Sequence, residues 1–221
     1  LFSQEIRFKP DLSGDEGEDD GSEFPEWDKV YLGEIGDFRT SSVDKKTKKD
    51  QQKVFLINYM DVYNHTEINN KTVKNFQRVT AKKSQLNTSD IKKGDILFTP
   101  SSETPSDIGH SVVVFEDIKD AVFSYHLLRF RPKIKLDLMY SHYFCNIQPV
   151  LKQISKFATG STRFTISSKN FSKVQVDLPC LKEQSKIANC LSAIDQKIDY
   201  TQQQLDQTKM FKKGLLQKMF V

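Results

Sequence analysis

The sequence predicts a mixed α/β globular domain over residues 24–178, followed by a long C-terminal, coiled-coil-forming α-helix over 179–221 and preceded by an acidic leader at 1–23. Three observations carry this reading. Short apolar runs rich in β-branched and aromatic residues alternate with turn residues between 24 and 178. The stretch from Leu181 to Met219 holds no proline and one glycine, Gly214. Residues 13–23 combine Gly, Ser and carboxylates with no apolar side chain.

In chain order, residues 13–23 have nothing to bury and read as a linker or exposed loop. Their acids do not follow the spacing of a calcium loop, so no metal is assigned. From Phe24 the pattern changes. Val30-Tyr31-Leu32, Val54-Phe55-Leu56-Ile57, Ile96-Leu97-Phe98, Val112-Val113-Val114-Phe115 and Ala121-Val122-Phe123 are short enough and β-branched enough to be strands. Leu138, Tyr143, Ile147, Leu151 and Ile154 recur at helical steps over 136–157, where Pro149 divides the helix. Beyond Pro179, Ile187, Leu191, Ile194, Ile198, Leu205, Leu215 and Met219 form a stripe that passes through the polar Thr201, Thr208 and Lys212. A continuous helix here is roughly 55 to 60 Å long at 1.5 Å per residue. It projects beyond a domain of this size, so its stripe needs cover from its own domain, another helix or a second copy.

Composition bounds the function. The 221 residues are 37% hydrophobic and 28% charged, enough for a real core. No window approaches the roughly 18 consecutive apolar residues of a membrane span, and no signal pattern opens the chain. A cytoplasmic protein with no membrane partner is expected. Cys145, Cys180 and Cys190 are odd in number and form no CxxC pair, which argues against a disulfide framework and a zinc site. Residues 1–30 hold three cations against ten acids, a net of −7, so residues 31–221 carry +11 of the overall +4. A basic body suits a polyanion, because clustered Lys and Arg displace counterions from phosphate; an ordinary solvated surface is the alternative.

Motifs of common catalysts are missing. The chain has no Gly-rich phosphate loop with lysine, no GxGxxG, GxSxG or HExxH, and no Asn/Asp-Pro-Pro-aromatic segment for base methylation. His142 lies three residues before Cys145, a helical spacing that a thiol-imidazole pair could use but that reads first as one face of a core helix. Glu116-Asp117-Ile118-Lys119 ends in the Asp-x-Lys of a metal-dependent nuclease, with Asp95 or Asp107 as a partner carboxylate, a pattern that charge-rich chains also produce by chance.

Three polar segments remain. Residues 38–49 form a flexible basic stretch. Residues 94–109 run from a strand into a polar loop, where Thr104, Pro105 and Asp107 read as a helix N-cap with proline at its first position, a start that suits phosphate. Residues 160–170 form a turn rich in hydroxyls and cations that leads into a strand. Each can donate to phosphates or base edges, and each can equally be a solvated loop.

Taken together, these segments resemble the specificity subunit of type I restriction-modification systems. The resemblance runs from the Trp-x-x-x-x-Leu-Gly-Glu-Ile segment at 27–35, through Gly94-Asp95-Ile96-Leu97-Phe98-Thr99 and the Gly-Ser-Thr turn at 160–169, to Leu178-Pro179-Cys180-Leu181-Lys182-Glu183-Gln184-Ser185-Lys186-Ile187-Ala188. It implies a non-catalytic subunit without cofactor. Such a subunit reads double-stranded DNA through a target recognition domain and docks modification (methyltransferase) and restriction subunits. The family carries two recognition domains and two antiparallel helices, whereas this chain has one of each, and residues 1–8 look like the stretch after a central helix. That places it as a distal half, either a fragment or a half-sized subunit.

With no second helix in the chain, a homodimer through Ile187, Leu191, Ile194, Ile198, Leu205 and Leu215 is expected, its two domains reading a bipartite palindromic site. Candidate DNA-binding residues are Arg39, Thr40, Ser41, Ser42, Lys45 and Lys46; Thr99, Ser101, Ser102, Glu103 and Thr104; and Ser161, Thr162, Arg163, Lys169 and Asn170. Arg39, Arg163 and Glu103 are the candidates for specificity, since Arg reads guanine and Glu accepts from cytosine, while lysines hold the backbone. The competing readings are a nuclease using Asp117 and Lys119 and a coiled-coil adaptor that never touches DNA.

Overall fold

The computed structural model describes residues 1–10 and 23–219. Its elements run β1 (Asp28–Tyr31), α1 (Leu32–Ile35), β2 (Gly36–Thr40), β3 (Gln52–Ile57), α2 (Tyr59–Tyr63), β4 (Gln77–Ala81), α3 (Lys83–Thr88), β5 (Ile96–Phe98), β6 (Ser101–Ser102), β7 (Ser111–Val113), β8 (Ala121–Phe123), β9 (Leu128–Pro132), α4 (Leu138–Phe144), α5 (Gln148–Phe157), β10 (Phe164–Thr165), α6 (Ser168–Phe171), β11 (Gln175–Leu178) and α7 (Leu181–Met219). The architecture is the mixed α/β domain followed by a long helix that the sequence predicts.

The apolar runs at 54–57, 96–98 and 121–123 lie in β3, β5 and β8. Two expected strands end before their apolar runs do. Leu32 leaves β1 to open α1, and the run at 112–115 leaves β7 after Val113, because Val114 N donates to Asp95 O and Phe115 N to Ile68 O. Pro149 divides the 136–157 helix as expected: α4 ends at Phe144 and α5 restarts at Gln148 with proline in its first turn, where its missing N–H is not needed.

Among the described residues the strands form an antiparallel sheet β2-β9-β5-β7, a second sheet β4-β3-β8 in which β3 and β8 run parallel, and two ribbons, β1-β11 and β10-β6. Alternate residues of β5 explain its unbroken apolar run: Ile96 and Phe98 point into a core with Phe130, Tyr140, Phe144 and Phe171, while Leu97 points into a second core with Ile57, Val112 and Phe123. Between the strands, Arg131 grips Asp95 with Nε to Oδ1 and Nη2 to Oδ2, both at 2.7 Å, and Arg129 Nη1 donates to Asp90 Oδ1 at 2.6 Å. The ribbon β1-β11 sets Asp28 opposite Leu178 and Tyr31 opposite Gln175, so the two ends of the domain meet and α7 leaves from that seam.

The root of α7 is part of the domain. Glu183 is fully buried and accepts from Trp27 Nε1 at 3.0 Å and from Arg7 Nη2 at 2.9 Å and Nε at 3.2 Å. Gln184 Oε1 accepts from Asp137 N at 3.0 Å, and Gln184 Nε2 donates to Pro179 O at 2.8 Å. Ile187 and Ala188, each 1% exposed, enter the main core and Leu191 packs against it. This corrects the expected dimer stripe: Ile187 is covered by its own domain and Leu191 partly so, because α4 lies against this part of the helix. Tyr143 OH donates to Asp195 Oδ2 at 2.6 Å, and from Ile194 onward the stripe is exposed.

Leu1, Phe2 and Phe8 also pack against the main core, with the Phe2 ring 5.9 Å from Tyr140, so residues 1–10 lie on the globule. The linker expected at 13–23 falls, apart from Glu23, outside the described residues. No helix among the described residues is long and apolar enough to cross a membrane.

Candidate nucleic-acid interface

The first polar segment is less of a loop than expected. Arg39 and Thr40 end β2, exposed, with Arg39 opposite Arg129 and Thr40 opposite Leu128. The strand then turns at Ser41, whose Oγ accepts from Val43 N at 3.0 Å and donates to Ser89 Oγ at 2.9 Å. Val43 is buried, so Ser41 holds the loop and is not free to contact a ligand. Ser42 O accepts from Gln85 Nε2. Beyond this anchor Lys45 and Lys46 are exposed; Lys46 Nζ sits 3.2 Å from Asp44 Oδ2, whereas Lys45 takes part in no ion pair among the described residues.

The second segment departs further. Thr99 is fully buried, and Ser101 and Ser102 are 9% and 6% exposed because they form β6, paired with Thr165 and Phe164. Thr99 is therefore withdrawn from the candidate contacts, and the two serines offer little beyond a floor. Thr104 does not cap a helix either: Pro105–Asp107 is a single three-residue 3₁₀ turn, the Thr104 side chain accepts no capping bond, and no helix N-terminus awaits a phosphate here. Glu103 and Thr104 are exposed.

The third segment is a tight turn. Thr159 and Thr165 exchange backbone hydrogen bonds, and Gly160 between them has φ +146° and lies so near Arg163 O that a Cβ would stand 2.1 Å from it. Only glycine fits. The turn exposes Ser161, Thr162 and Arg163, and Arg163 Nη2 donates to Ser101 Oγ at 3.1 Å. Lys169 is exposed on α6, and Asn170 Nδ2 donates to Phe157 O, a bond that serves the packing of α6 on α5.

Tertiary folding brings Glu103 and Arg163 to one pocket of about 280 Å³, walled by Tyr59, Met60 and Tyr63 of α2 and floored by Ser102 and Asp107. Sequence reasoning missed α2. Its signal was Asn58-x-x-Asp61, the spacing of a helix start, and Asp61 Oδ2 indeed accepts from Asn58 N at 2.7 Å. Tyr59 and Tyr63 stack with centroids 5.9 Å apart, and Tyr59 OH donates to Ser101 O at 2.9 Å. Met60 is about half exposed, large apolar surface in an otherwise polar lining.

A polar chain backs the pocket. Asp107 Oδ2 accepts from Tyr63 OH at 3.1 Å, Asp107 Oδ1 meets His110 Nε2 at 2.9 Å, His110 Nδ1 meets His65 Nε2 at 3.2 Å, and His65 Nδ1 donates to Ser111 O at 3.2 Å. Burial alone would raise the Asp107 carboxyl, but its bonds to His110, Tyr63 and Ser102 outweigh burial and hold it below its ordinary value. Burial first, then the neighbouring His110, lowers His65. His126 is lowered by burial and then by the charges of Arg163 and Lys45, with Asp44 opposing, so residues of the basic loop and of the Gly160 turn both act on it.

Comparison with known proteins identifies the family. Residues 25–210 match the family model described as the type I restriction modification DNA specificity domain. The chain belongs to that family. Among solved structures, a chain from a study of complex assembly and conformational transition of a type I R-M system is similar at 18% identity and TM-score 0.57, over 87% of this chain and 42% of its own. The HsdS subunit from Thermoanaerobacter tengcongensis is similar at 18% identity and TM-score 0.52, over 80% of this chain and 39% of its own. This chain thus spans about two fifths of the length of those it matches, and the likeness is one of fold. No curated protein sequence matches it.

The fold explains two motifs of this specificity-domain chain. Trp27 and Glu183, 156 residues apart, meet in one buried hydrogen bond, and Gln184 ties the helix start to Asp137 and Pro179. The nuclease residues are not assembled: Asp95 is gripped by Arg131, Asp107 by His110 and Tyr63, and Asp117 Oδ1 accepts from Lys93 N. Cys145 is fully buried, and desolvation pushes its thiol far up, so it is inert.

Proposed function

We propose that this chain is the DNA-reading unit of a type I restriction-modification specificity subunit, non-catalytic itself, which places modification and restriction subunits on a duplex. The observation that carries the proposal is the state of its arginines. Arg7, Arg129 and Arg131 are held by carboxylates and Arg78 lies over the Phe55 ring, whereas Arg39 and Arg163 are exposed without an acidic partner among the described residues. Arg163 lines one polar, aromatic-walled pocket, and the exposed Lys45 acts with it on His126, so base-edge and phosphate donors lie on one side of the domain. The family match supports this reading. Its test is duplex binding as a function of salt. Wild type should lose affinity steeply with ionic strength, and Lys45→Ala should weaken all sequences alike and flatten the salt slope by about one unit. Salt-insensitive binding, or none, would favour the adaptor reading.

The same proposal includes a homodimer. Ile194, Ile198, Leu205 and Leu215 are 50%, 60%, 48% and 46% exposed on a helix that has left its domain. Charge order along α7 favours antiparallel pairing. Asp195, Asp199 and Asp206 lie in the nearer half of the free length, and Lys209, Lys212, Lys213 and Lys218 beyond them. An antiparallel copy centred near Gln204 sets Asp195 opposite Lys213 and Asp199 opposite Lys209, whereas a parallel copy stacks lysine on lysine.

A further inference from the structure

Arg163 and Glu103 carry opposite charges, line the same pocket, and yet form no ion pair with each other or with any described residue. Each is held apart by its own backbone. Arg163 rides the Gly160 turn, whose φ of +146° no other residue adopts freely, and one guanidinium N–H is spent on the nearly buried Ser101 Oγ at 3.1 Å. Ser101 is itself positioned by its pairing with Thr165 and by Tyr59, which donates to its carbonyl. Glu103 follows β6 directly and is exposed, its carboxylate accepting no hydrogen bond among the described residues. The pocket therefore presents, on rigid supports, several unspent N–H donors beside an unspent acceptor.

We propose that Arg163 and Glu103 together read one G·C base pair in the major groove, Arg163 the guanine and Glu103 the cytosine. This rests on the DNA-reading function above and goes beyond it by naming the base pair and separating Arg163 from Arg39. The edge of a G·C pair offers two adjacent acceptors, guanine N7 and O6, and beside them one donor, the cytosine amine. A guanidinium fork matches the first two and a carboxylate the third. An A·T pair in the same place fits badly. There the fork meets one acceptor and one amine, and the carboxylate meets either thymine O4, acceptor against acceptor, or the adenine amine with no acceptor pair left for arginine. Asp107, the other carboxylate of the pocket, does not compete, because Tyr63, His110 and Ser102 already occupy it. Arg39 lies at the end of β2, and no hydrogen bond or ion pair links it to the pocket.

The test is selection of bound sites from a randomised duplex library by the full-length chain, at one fixed salt concentration, with base frequencies read by position. Wild type should show at least one position fixed as G·C. Arg163→Ala and Glu103→Ala should each lose roughly 10- to 100-fold of discrimination at that same position, as loss of a bidentate or amine contact predicts, and leave the other positions unchanged. Arg163→Lys, which keeps charge but not the fork, should behave as Arg163→Ala in selectivity while retaining more overall affinity. The inference is overturned if the two alanine variants alter different positions, if the shared position is A·T, or if the profile stays unchanged while binding persists; in these cases the DNA-reading function stands. Absence of salt-sensitive duplex binding by wild type overturns both. Unchanged Trp27 fluorescence and circular dichroism show that the variants fold.

Discussion

Glu183 offers a direct measurement of how the helix is joined to the domain. Its carboxylate has no exposed surface and takes three N–H groups, two from Arg7 and one from Trp27. Removing one partner of a buried ion pair costs about 3 to 5 kcal/mol when the other is left uncompensated. Arg7 is not abandoned entirely, since its guanidinium remains 20% exposed and keeps the carbonyls of Phe24 and Pro25 and the looser Glu26. Glu183→Ala should therefore lie near the lower end, about 3 kcal/mol, with Trp27 Nε1 also left unbonded. For a chain of this size about 3 kcal/mol lowers Tm by roughly 6 to 12 °C. Glu183→Gln keeps an acceptor for Trp27 and loses only the charge, so about half that shift is expected. Trp27 is the sole tryptophan, so its fluorescence during denaturation reports this junction itself, while circular dichroism follows the whole molecule. A Tm change under 2 °C for Glu183→Ala, or equal shifts for the two variants, would show that the buried bonds do not hold helix to domain.

Ile198→Asp should convert the dimer to monomer by sedimentation at micromolar concentration. Each half-exposed aliphatic on the stripe is worth about 1 kcal/mol, a two-fold interface counts the change twice, and an unpaired buried carboxylate adds its own penalty, so at least about 100-fold weaker association is expected. Ile187→Asp should instead unfold the domain root, because Ile187 is 1% exposed within one chain; a soluble, folded Ile187→Asp monomer would contradict that division. Stability should also fall on mild acidification. His142, His65 and His126 all sit below the ordinary histidine value of 6.5, each chiefly through burial. The unfolded chain then binds more protons in the window between 6.5 and the lower folded values, so the stability present above 6.5 drains as pH falls through it. His142→Gln should flatten that slope in denaturant midpoints taken between pH 7.5 and 5.5, and a flat wild-type profile would refute the assignment.

Strand runs, the split at Pro149 and the long proline-free helix were legible in the sequence because each is a local matter of propensity and period. The buried runs at β3, β5 and β8 had nothing polar to interrupt them. The mixed-polarity strands β2, β4 and β9 were not legible, since Arg39, Arg78, Arg129 and Arg131 look like loop residues in sequence, whereas Arg129 and Arg131 are neutralised by carboxylates, Arg78 lies over Phe55 and Arg39 faces solvent. The short helix α2, which walls the candidate pocket, is five residues long, too brief for periodicity to mark.

By itself the chain determined its apolar strands, its long helix, its family and the residue types available for contact, because these follow from order along the backbone. Which hydroxyls and charges remain free was decided only by tertiary contacts. Thr99 and Ser41 became structural, Ile187 joined its own core with Leu191 packed against it, and Arg163 came to share a pocket with Glu103 from sixty residues away. The physical reason is that burial and pairing are properties of neighbours in space, and a linear pattern records only neighbours in sequence.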